Sequence, residues 1–356
     1  MNIAALVSGG VDSAVAVHCL KELGHTPHLF YIKIGPEEDK EWNCTSEEDI
    51  EICNWLARKY GLKLDVVDLH SQYWDKVVSY TMEKAKAGLT PNPDVMCNKL
   101  IKFGCFEDEV GHEFDKIATG HYATTEVLNG KTWLATSPDL IKDQTDFLCQ
   151  INFKQVSKLL FPIGHLWKHQ VRDIAEKNKL LNANRKDSQG ICFLGQVDFR
   201  EYVAKYLGEN PGDVRELETG KKIGIHKGLW FYTIGQRKGL GFSGGPWFVV
   251  KKNTKRNILF VSHGYNPDKV FKDKISTDSL HFITENPWND KPMVDRHTIT
   301  FKIRHTPEFN KGNISRNIDG SWTIVSDEKI HGVAPGQFCV IYDENHHLCY
   351  GSGEIS

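Results

Sequence analysis

No two cysteines in this chain stand at Cys-x-x-Cys spacing, although there are nine of them in 356 residues. An odd number without that spacing argues against a secreted disulfide framework and against a structural zinc site, and it leaves one or two thiols available for chemistry. A Walker A loop is also missing. The Gly-Lys-Thr triplet Gly130-Lys131-Thr132 has Thr125 where the upstream glycine should stand, so that phosphate loop is excluded. No apolar run approaches the length of a membrane span, and no charged, apolar, small-residue leader opens the chain. A cytoplasmic protein with no membrane partner is therefore expected. Acidic residues are absent between Thr219 and Pro267, where nine Lys or Arg occur; with a total of −2, the rest of the chain carries −11. Such a window attracts a phosphate backbone.

What is present begins at Ser8-Gly9-Gly10-Val11-Asp12-Ser13, which follows the apolar run Ile3 to Val7 and opens a helical pattern from Ala14 to Leu23. A buried strand that turns on two glycines into a helix brings backbone N–H groups close to an anion. The helix start adds unpaired donors and a positive dipole end, and Ser8 and Ser13 add hydroxyls. The stretch reads as a phosphate cradle, the bland alternative being an ordinary strand-to-helix turn. It resembles the pyrophosphate loop of the ATP-pyrophosphatases, which split ATP between its α- and β-phosphates and adenylate a substrate oxygen.

The first third of the chain alternates strand and helix. Leu29 to Ile34, Leu64 to Val67 and Lys116 to Thr119 read as strands. A helix capped by Ser46 and stopped at Gly61, and another from Ser71 to Ala87 ahead of Gly88, lie between them. This rhythm predicts an α/β doubly wound parallel sheet with ligands at the carboxyl ends of its strands, where Gly120 and His121 fall. At 356 residues the chain is long enough for two or three domains.

A second informative stretch is Thr90-Pro91-Asn92-Pro93-Asp94-Val95-Met96-Cys97-Asn98-Lys99. Asn92 suits an N-cap and Pro93 the first helical position, so Cys97 falls within the first turn. The dipole there, with Lys99 and Lys102 nearby, should favour a thiolate, and Asp94 is placed to pass protons. A small apolar Cys beside a solvated acid is the alternative. Further on, Asn129-Gly130 predicts a type I′ hairpin, and Lys142-Asp143-Gln144 reads by default as a solvated loop. Cys192 lies on a glycine-framed loop, Lys186 to Gly195, and alone would read as a buried structural Cys.

Taken together, SGGVDS, TPNPDVMCNKLIKFG, ATGHY, KDQTDFL, LFPIG, DSQGICFLG and GQRKGLG occur in the order and approximate spacing seen in the tRNA-uridine 2-sulfurtransferases, the MnmA family, which the chain resembles over almost its full length. That resemblance implies an ATP-pyrophosphatase domain over 1–197, a small basic tRNA-binding domain over 198–273 and a C-terminal β-barrel over 274–356. It implies replacement of the C2 oxygen of a wobble uridine by sulfur, with ATP as substrate, magnesium on its phosphates, and tRNA and a persulfide sulfur carrier as partners. By the same resemblance Cys192 takes the sulfur as a persulfide, Cys97 releases it by attacking the inner sulfur to leave a Cys97–Cys192 disulfide, and Asp94 is the acid/base. Leu6, Val7, Ser8, Gly9, Gly10, Val11, Asp12, Ser13, Ile32 and Gly120 would hold ATP. Asn92, Pro93 and Asp94 would meet the flipped base, while His121, Lys142, Asp143, Gln144, Arg304, His305 and Gln337 would touch tRNA. A monomer is expected. Three departures stand out: Ile32 replaces the family's usual Met, Ile34-Gly35 its Asn-Trp, and His305 the aromatic that often follows Arg304.

The remaining stretches fit a nucleic-acid partner. Asp198 to Leu207 is an amphipathic helix stopped by Gly208. The aromatics Trp230, Phe231, Tyr232, Phe242, Trp247 and Phe248 alternate with glycines, which favours strand core over base stacking. Gly239 to Gly244 matches a dinucleotide fingerprint in form, but Pro246 and a β-rich run follow it, so that reading fails. From Lys274 onward the pattern is all β. The rival classes are an ATP-pyrophosphatase amide ligase, which needs neither paired thiols nor a basic domain, and a tRNA-binding protein with a vestigial ATP fold.

Overall fold

A computed structural model of the chain describes residues 1–35, 46–187, 199–264, 271–289 and 295–356. Cys192, its loop from Ser188 to Gly195 and the expected boundary at 197/198 lie outside the described residues.

The expected strand-helix alternation is present. The chain runs β1 (Ile3–Val7), a helix over Val11–Glu22, β2 (His28–Lys33), a helix over Ser46–Tyr60, β3 (Leu64–Asp68) and, after a helical region, β4 (Lys116–Ala118). A hairpin of β5 (Thr124–Leu128) and β6 (Lys131–Ala135) precedes β7 (Leu159–Leu160). The sheet order is β3-β2-β1-β4-β7, with every pair parallel. Period-two alternation sends β1 and β2 side chains to opposite faces. Ile3, Ala5, Val7, Leu29 and Tyr31 pack with Ala14, Val17 and Leu20 of the first helix on one face. Ala4 and Phe30, with Leu6 and Ile32 beside them, pack with Val77, Val95, Cys97 and Phe103 on the other. Both faces are therefore covered, as a parallel sheet requires.

The predicted helix from Ser71 to Ala87 is interrupted. It is α-helical at His70–Tyr73, widens to a π turn at Trp74–Val78 and resumes at Ser79–Lys86. Val77, Val78 and Thr81 are buried as the apolar spacing requires.

The middle region forms a four-stranded sheet ordered β10-β11-β8-β9, from β8 (Gly212–Glu216), β9 (Lys222–His226), β10 (Trp247–Asn253) and β11 (Ile258–His263). Tyr232, Leu240, Trp247, Val249 and Val261 form its core; of the aromatics expected as strand core, Trp247 and Phe248 lie in β10, whereas Trp230 and Phe231 form a 3-10 turn and Tyr232 and Phe242 lie outside the strands. The run after Gly244 is strand β10 and no helix, which disposes of the dinucleotide fingerprint.

The last sheet is built from β12 (Phe271–Thr277), β13 (His281–Phe282), β14 (His297–Lys302), β15 (Asn310–Arg316), β16 (Trp322–His331), β17 (Phe338–Tyr342) and β18 (Leu348–Glu354). Inward positions Ile299, Phe301, Ile314, Ile324 and Ile341 make its core. The boundary expected at 273/274 falls inside β12. The order β12-β16-β15-β14-β17-β18-β6-β5 holds a further surprise: the early hairpin belongs to this late sheet, Leu134 pairing with Cys349. Asn129 and Gly130 have φ of 51° and 75°, the left-handed pair that a type I′ turn demands.

Candidate active site

The Ser8–Ser13 loop leaves β1 at the carboxyl end of the sheet, where a doubly wound fold places its ligands. Gly9 has φ +71°, and a Cβ there would stand 2.8 Å from Asp49 Oδ1, so only glycine fits. Gly10 is the N-cap of the 12-residue helix and supplies no side-chain hydrogen bond. The helix's leading N–H groups are therefore not spent on a cap and face an incoming anion. Ser13 Oγ accepts from Ser8 N at 3.3 Å and donates to Gly10 O at 3.0 Å. The Gly9 carbonyl is held by Asn182 Nδ2 at 2.8 Å and Arg185 Nη1 at 3.2 Å. Gly120, at the end of β4, lies against the helix start. A Cβ on it would stand 2.7 Å from Ser13 N.

Asp12 opens a chain of charges that the sequence did not reveal. Its carboxylate accepts from Tyr122 Oη at 2.8 Å and from Lys168 Nζ at 2.7 and 2.9 Å. Lys168 also meets Asp187 at 2.9 Å, and Asp187 takes Arg172 at 2.6 Å and Lys142 at 2.8 Å. Burial raises the Asp187 carboxyl, but the Lys142 and Lys168 hydrogen bonds outweigh it and hold the group well below the usual carboxylate range. Burial and then the Asp12 charge push the Tyr122 phenol up, so it stays a donor. Lys168, Arg172 and Arg185 escape a reading of the sequence because only the fold brings them to their partners Asp12, Asp187 and Gly9, the first and last of which lie more than 150 positions away.

The second element is the helix Pro93–Cys97. Asn92 caps it as expected, its Oδ1 accepting from Val95 N at 3.3 Å, with proline at the first turn. Asn92, Pro93 and Asp94 are half-buried, and Cys97 is 2 % exposed among the side chains that cover the Leu6 and Ile32 face of the sheet. The helix continues as a π turn over Asn98–Cys105, a widening that often marks functional helices. None of the seven described cysteines is in a disulfide. Lys99, expected to act on Cys97, instead donates to Gln150 Oε1 at 3.1 Å and lies beside Cys149. Two residues along a helix point to different sides.

Expected nucleic-acid contacts divide. Arg304 and His305 are exposed. His305 packs on Phe147 with ring centroids 4.7 Å apart and the planes tilted by 30°, and its Nδ1 lies 3.0 Å from Asp146. That hydrogen bond raises the imidazole pKa against the effect of burial. Phe147 O in turn accepts from Asn98 Nδ2 at 3.1 Å, so His305 reaches the Cys97 helix through one aromatic residue. His121 meets Thr119 Oγ1 at 2.8 Å, and burial, with Lys102 adding, holds it well below the ordinary histidine range.

The Lys142-Asp143-Gln144 cluster is no solvated loop. Asp143 is wholly buried and accepts from Ser137 N at 3.0 Å and Thr145 Oγ1 at 2.7 Å, so it has no surface to offer tRNA. Gln144 Oε1 accepts from Tyr122 N at 3.0 Å and thereby steadies the tyrosine on Asp12. Gln337 spends its amide donors on Thr90 O at 2.9 Å and Pro91 O at 3.0 Å.

Among the described residues no group of three or more His, Cys, Asp or Glu could hold a metal ion, and no helix is long and apolar enough to cross a membrane. Three family models match in succession: a tRNA methyl transferase HUP domain over residues 1–196, a tRNA methyl transferase PRC-barrel domain over 200–263 and an aminomethyltransferase β-barrel domain over 272–355. The tRNA-specific 2-thiouridylase MnmA of Parabacteroides distasonis is 60% identical over 356 residues, covering 100% of this chain and 99% of its own. That of Porphyromonas gingivalis is 60% identical over 362 aligned residues, with the same coverage. A U34-tRNA thiolase, NcsA, from Methanococcus maripaludis covers 58% of this chain and 64% of its own at 18% identity and a TM-score of 0.34, a likeness too distant to bear on the chemistry. With a pyrophosphate-type loop, a capped helix carrying Cys97 on the adjoining sheet face, and relatives this close along the whole length, the chain belongs to the MnmA family of tRNA-specific 2-thiouridylases.

Proposed function

We propose that the protein replaces the C2 oxygen of the wobble uridine, U34, of tRNA with sulfur at the expense of ATP. The observation that carries this reading is that an anion-ready loop and a thiol-bearing helix flank the same sheet, with Leu6 and Cys97 in one cluster. A uridine C2 carbonyl is a poor electrophile with no leaving group. Its oxygen attacks the α-phosphorus of ATP, pyrophosphate departs, and the oxygen is now part of AMP.

Leu6 to Ser13, Ile32 and Gly120 bind the nucleotide, the loop N–H groups taking the phosphates. Magnesium would enter on those phosphates, where it would neutralise their charge; the Asp12 carboxylate is already paired with Lys168 and Tyr122. Asn92, Pro93 and Asp94 receive the flipped base, and Asp94 moves the proton. Cys192 carries the sulfur as a persulfide delivered by a carrier protein. The Cys97 thiolate attacks the inner sulfur, the Cys192–sulfane bond breaks, and the released hydrosulfide adds to C2 while AMP leaves. A Cys97–Cys192 disulfide remains, and a thiol reductant must return two electrons before the next turnover.

Arg304, His305, His121, Lys142 and the exposed basic residues of the middle region hold tRNA, and the protein works as a cytoplasmic monomer. The test is incubation with ATP, transcript tRNA and a chemical persulfide donor, followed by nucleoside mass spectrometry and pyrophosphate release. Cys97→Ser and Cys192→Ser should still bind tRNA and release pyrophosphate but yield no 2-thiouridine. Full turnover by either would overturn the cysteine roles.

A further inference from the structure

The four residues before Asn92 are gripped from both later parts of the chain. From the middle region, Lys252 of β10 donates Nζ to Gly88 O at 3.0 Å. A Cβ on Gly88, which has φ +82°, would stand 2.5 Å from the Thr254 methyl. From the last sheet, Pro335 O accepts from Thr90 N at 2.8 Å, and Gln337 Nε2 donates to both Thr90 O and Pro91 O. Gly336, with φ +91°, leaves no room for a side chain: its Cβ would stand 2.8 Å from Leu89 Cβ and from Thr90 N. The gripping turn is itself fastened. Gly336 N donates to Ile355 O at 2.9 Å and Ile355 N to Gln337 O at 2.8 Å.

These contacts satisfy backbone groups that have no helix or sheet partner, which a half-buried segment needs. They also leave little freedom downstream. Pro91 and Pro93 fix two of the φ angles between the grip and the first helical turn, and Asn92 is tied to Val95 by its cap. Whatever moves the 335–337 turn or β10 therefore moves Asn92, Pro93 and Asp94.

We propose that Gln337 and Lys252 are positioning residues: through the backbone of Gly88–Pro91 they set where Asn92–Asp94 meet the target base, so that the middle region and the last sheet are coupled to the chemistry of the first. This rests on the proposed thiolation and assigns Gln337 a role other than the tRNA contact expected from its motif. Its reach is toward the protein, because its two donor hydrogens are already committed to Thr90 and Pro91.

The experiment uses the full-length protein with Gln337→Ala, Gln337→Glu, which keeps the volume but loses the donors, and Lys252→Met. Single-turnover thiolation at saturating tRNA should fall about 10- to 100-fold, as sub-ångström to 1 Å misplacement of reacting groups does, while tRNA Kd changes less than about threefold. Amide hydrogen exchange across 89–99 should quicken in all three variants without tRNA or ATP. A tenfold rise in Kd with the saturated rate retained would make Gln337 a tRNA contact and overturn the proposal. So would wild-type exchange across 89–99 in the folded variants. If the wild-type protein makes no 2-thiouridine, the thiolation reading fails, and the exchange measurement still decides the grip.

Discussion

Lys302 Nζ lies 3.6 Å from Asp143 Oδ2, and neither side chain has any exposed surface. The ammonium also sits 4.0 Å from the Phe309 ring centroid. Burial pushes the Asp143 carboxyl up to about 6, against the pull of Lys302, Thr145 and Ser137. Because the folded value exceeds the unfolded one, the native state takes up a proton between about pH 6 and pH 4 that the unfolded chain does not. This group's contribution therefore favours folding most at low pH and is lost as pH rises through that window.

Two variants check it by melting midpoints across pH 4 to 7. Asp143→Asn should remove the part of the slope between about pH 4 and pH 6 that this carboxyl contributes. Lys302→Met removes the largest of the pulls that oppose burial, moves the carboxyl further up and should cost about 3 kcal/mol at pH 7, the scale for losing one partner of a buried pair. A Lys302→Met protein as stable as wild type would show that the pair contributes nothing.

Gly120→Ala should cripple nucleotide binding without touching tRNA affinity. The added methyl would press on Ser13 N and the Asp12 carbonyl carbon, backbone atoms that move only with the loop. Overpacking of this kind costs about 1–3 kcal/mol, hence a loss of about fivefold or more in ATP affinity by calorimetry. Wild-type ATP affinity would show that the loop yields.

Lys168→Met should weaken ATP by about tenfold or more. The ammonium neutralises Asp12 beside the phosphate site; without it, a carboxylate faces a triphosphate in a partly buried setting where like charges are poorly screened. tRNA affinity should stay within about twofold. An unchanged Kd for ATP would place the phosphates elsewhere.

Eight of the nine basic residues between Thr219 and Pro267 are exposed, Lys252 alone being half-buried. Paired Arg237→Glu and Lys238→Glu should weaken tRNA binding at low salt and reduce the salt slope of log K by about 1 to 2. The measurement is tRNA Kd by filter binding between about 50 and 200 mM salt. A slope identical to wild type would remove this face from the interface.

Local chemistry made much of this molecule legible in its sequence. The two glycines after an apolar strand, the Asn92 cap with Pro93 behind it, and the Asn129-Gly130 turn each have one cheap backbone solution, and each is found. The missed features depend on distant partners. Lys142-Asp143-Gln144 reads as solvent-loving because three polar residues in a loop usually are; burial of Asp143 is made tolerable by donors from Ser137 and Thr145 and by Lys302, 159 positions on. Lys168 gives no sign of its place beside Asp12, and Gln337 none of its grip on Thr90. The π widening after Cys97 likewise leaves the hydrophobic spacing almost unchanged.

Because β6 finds a neighbour in β18, residues made early in synthesis wait for a strand that begins only at Leu348. A ribosome must release β18 before Leu134 meets Cys349, and a chain cut short after the middle region would display a bare hairpin edge open to pairing with other chains. A copy that ends before β18 cannot close this sheet.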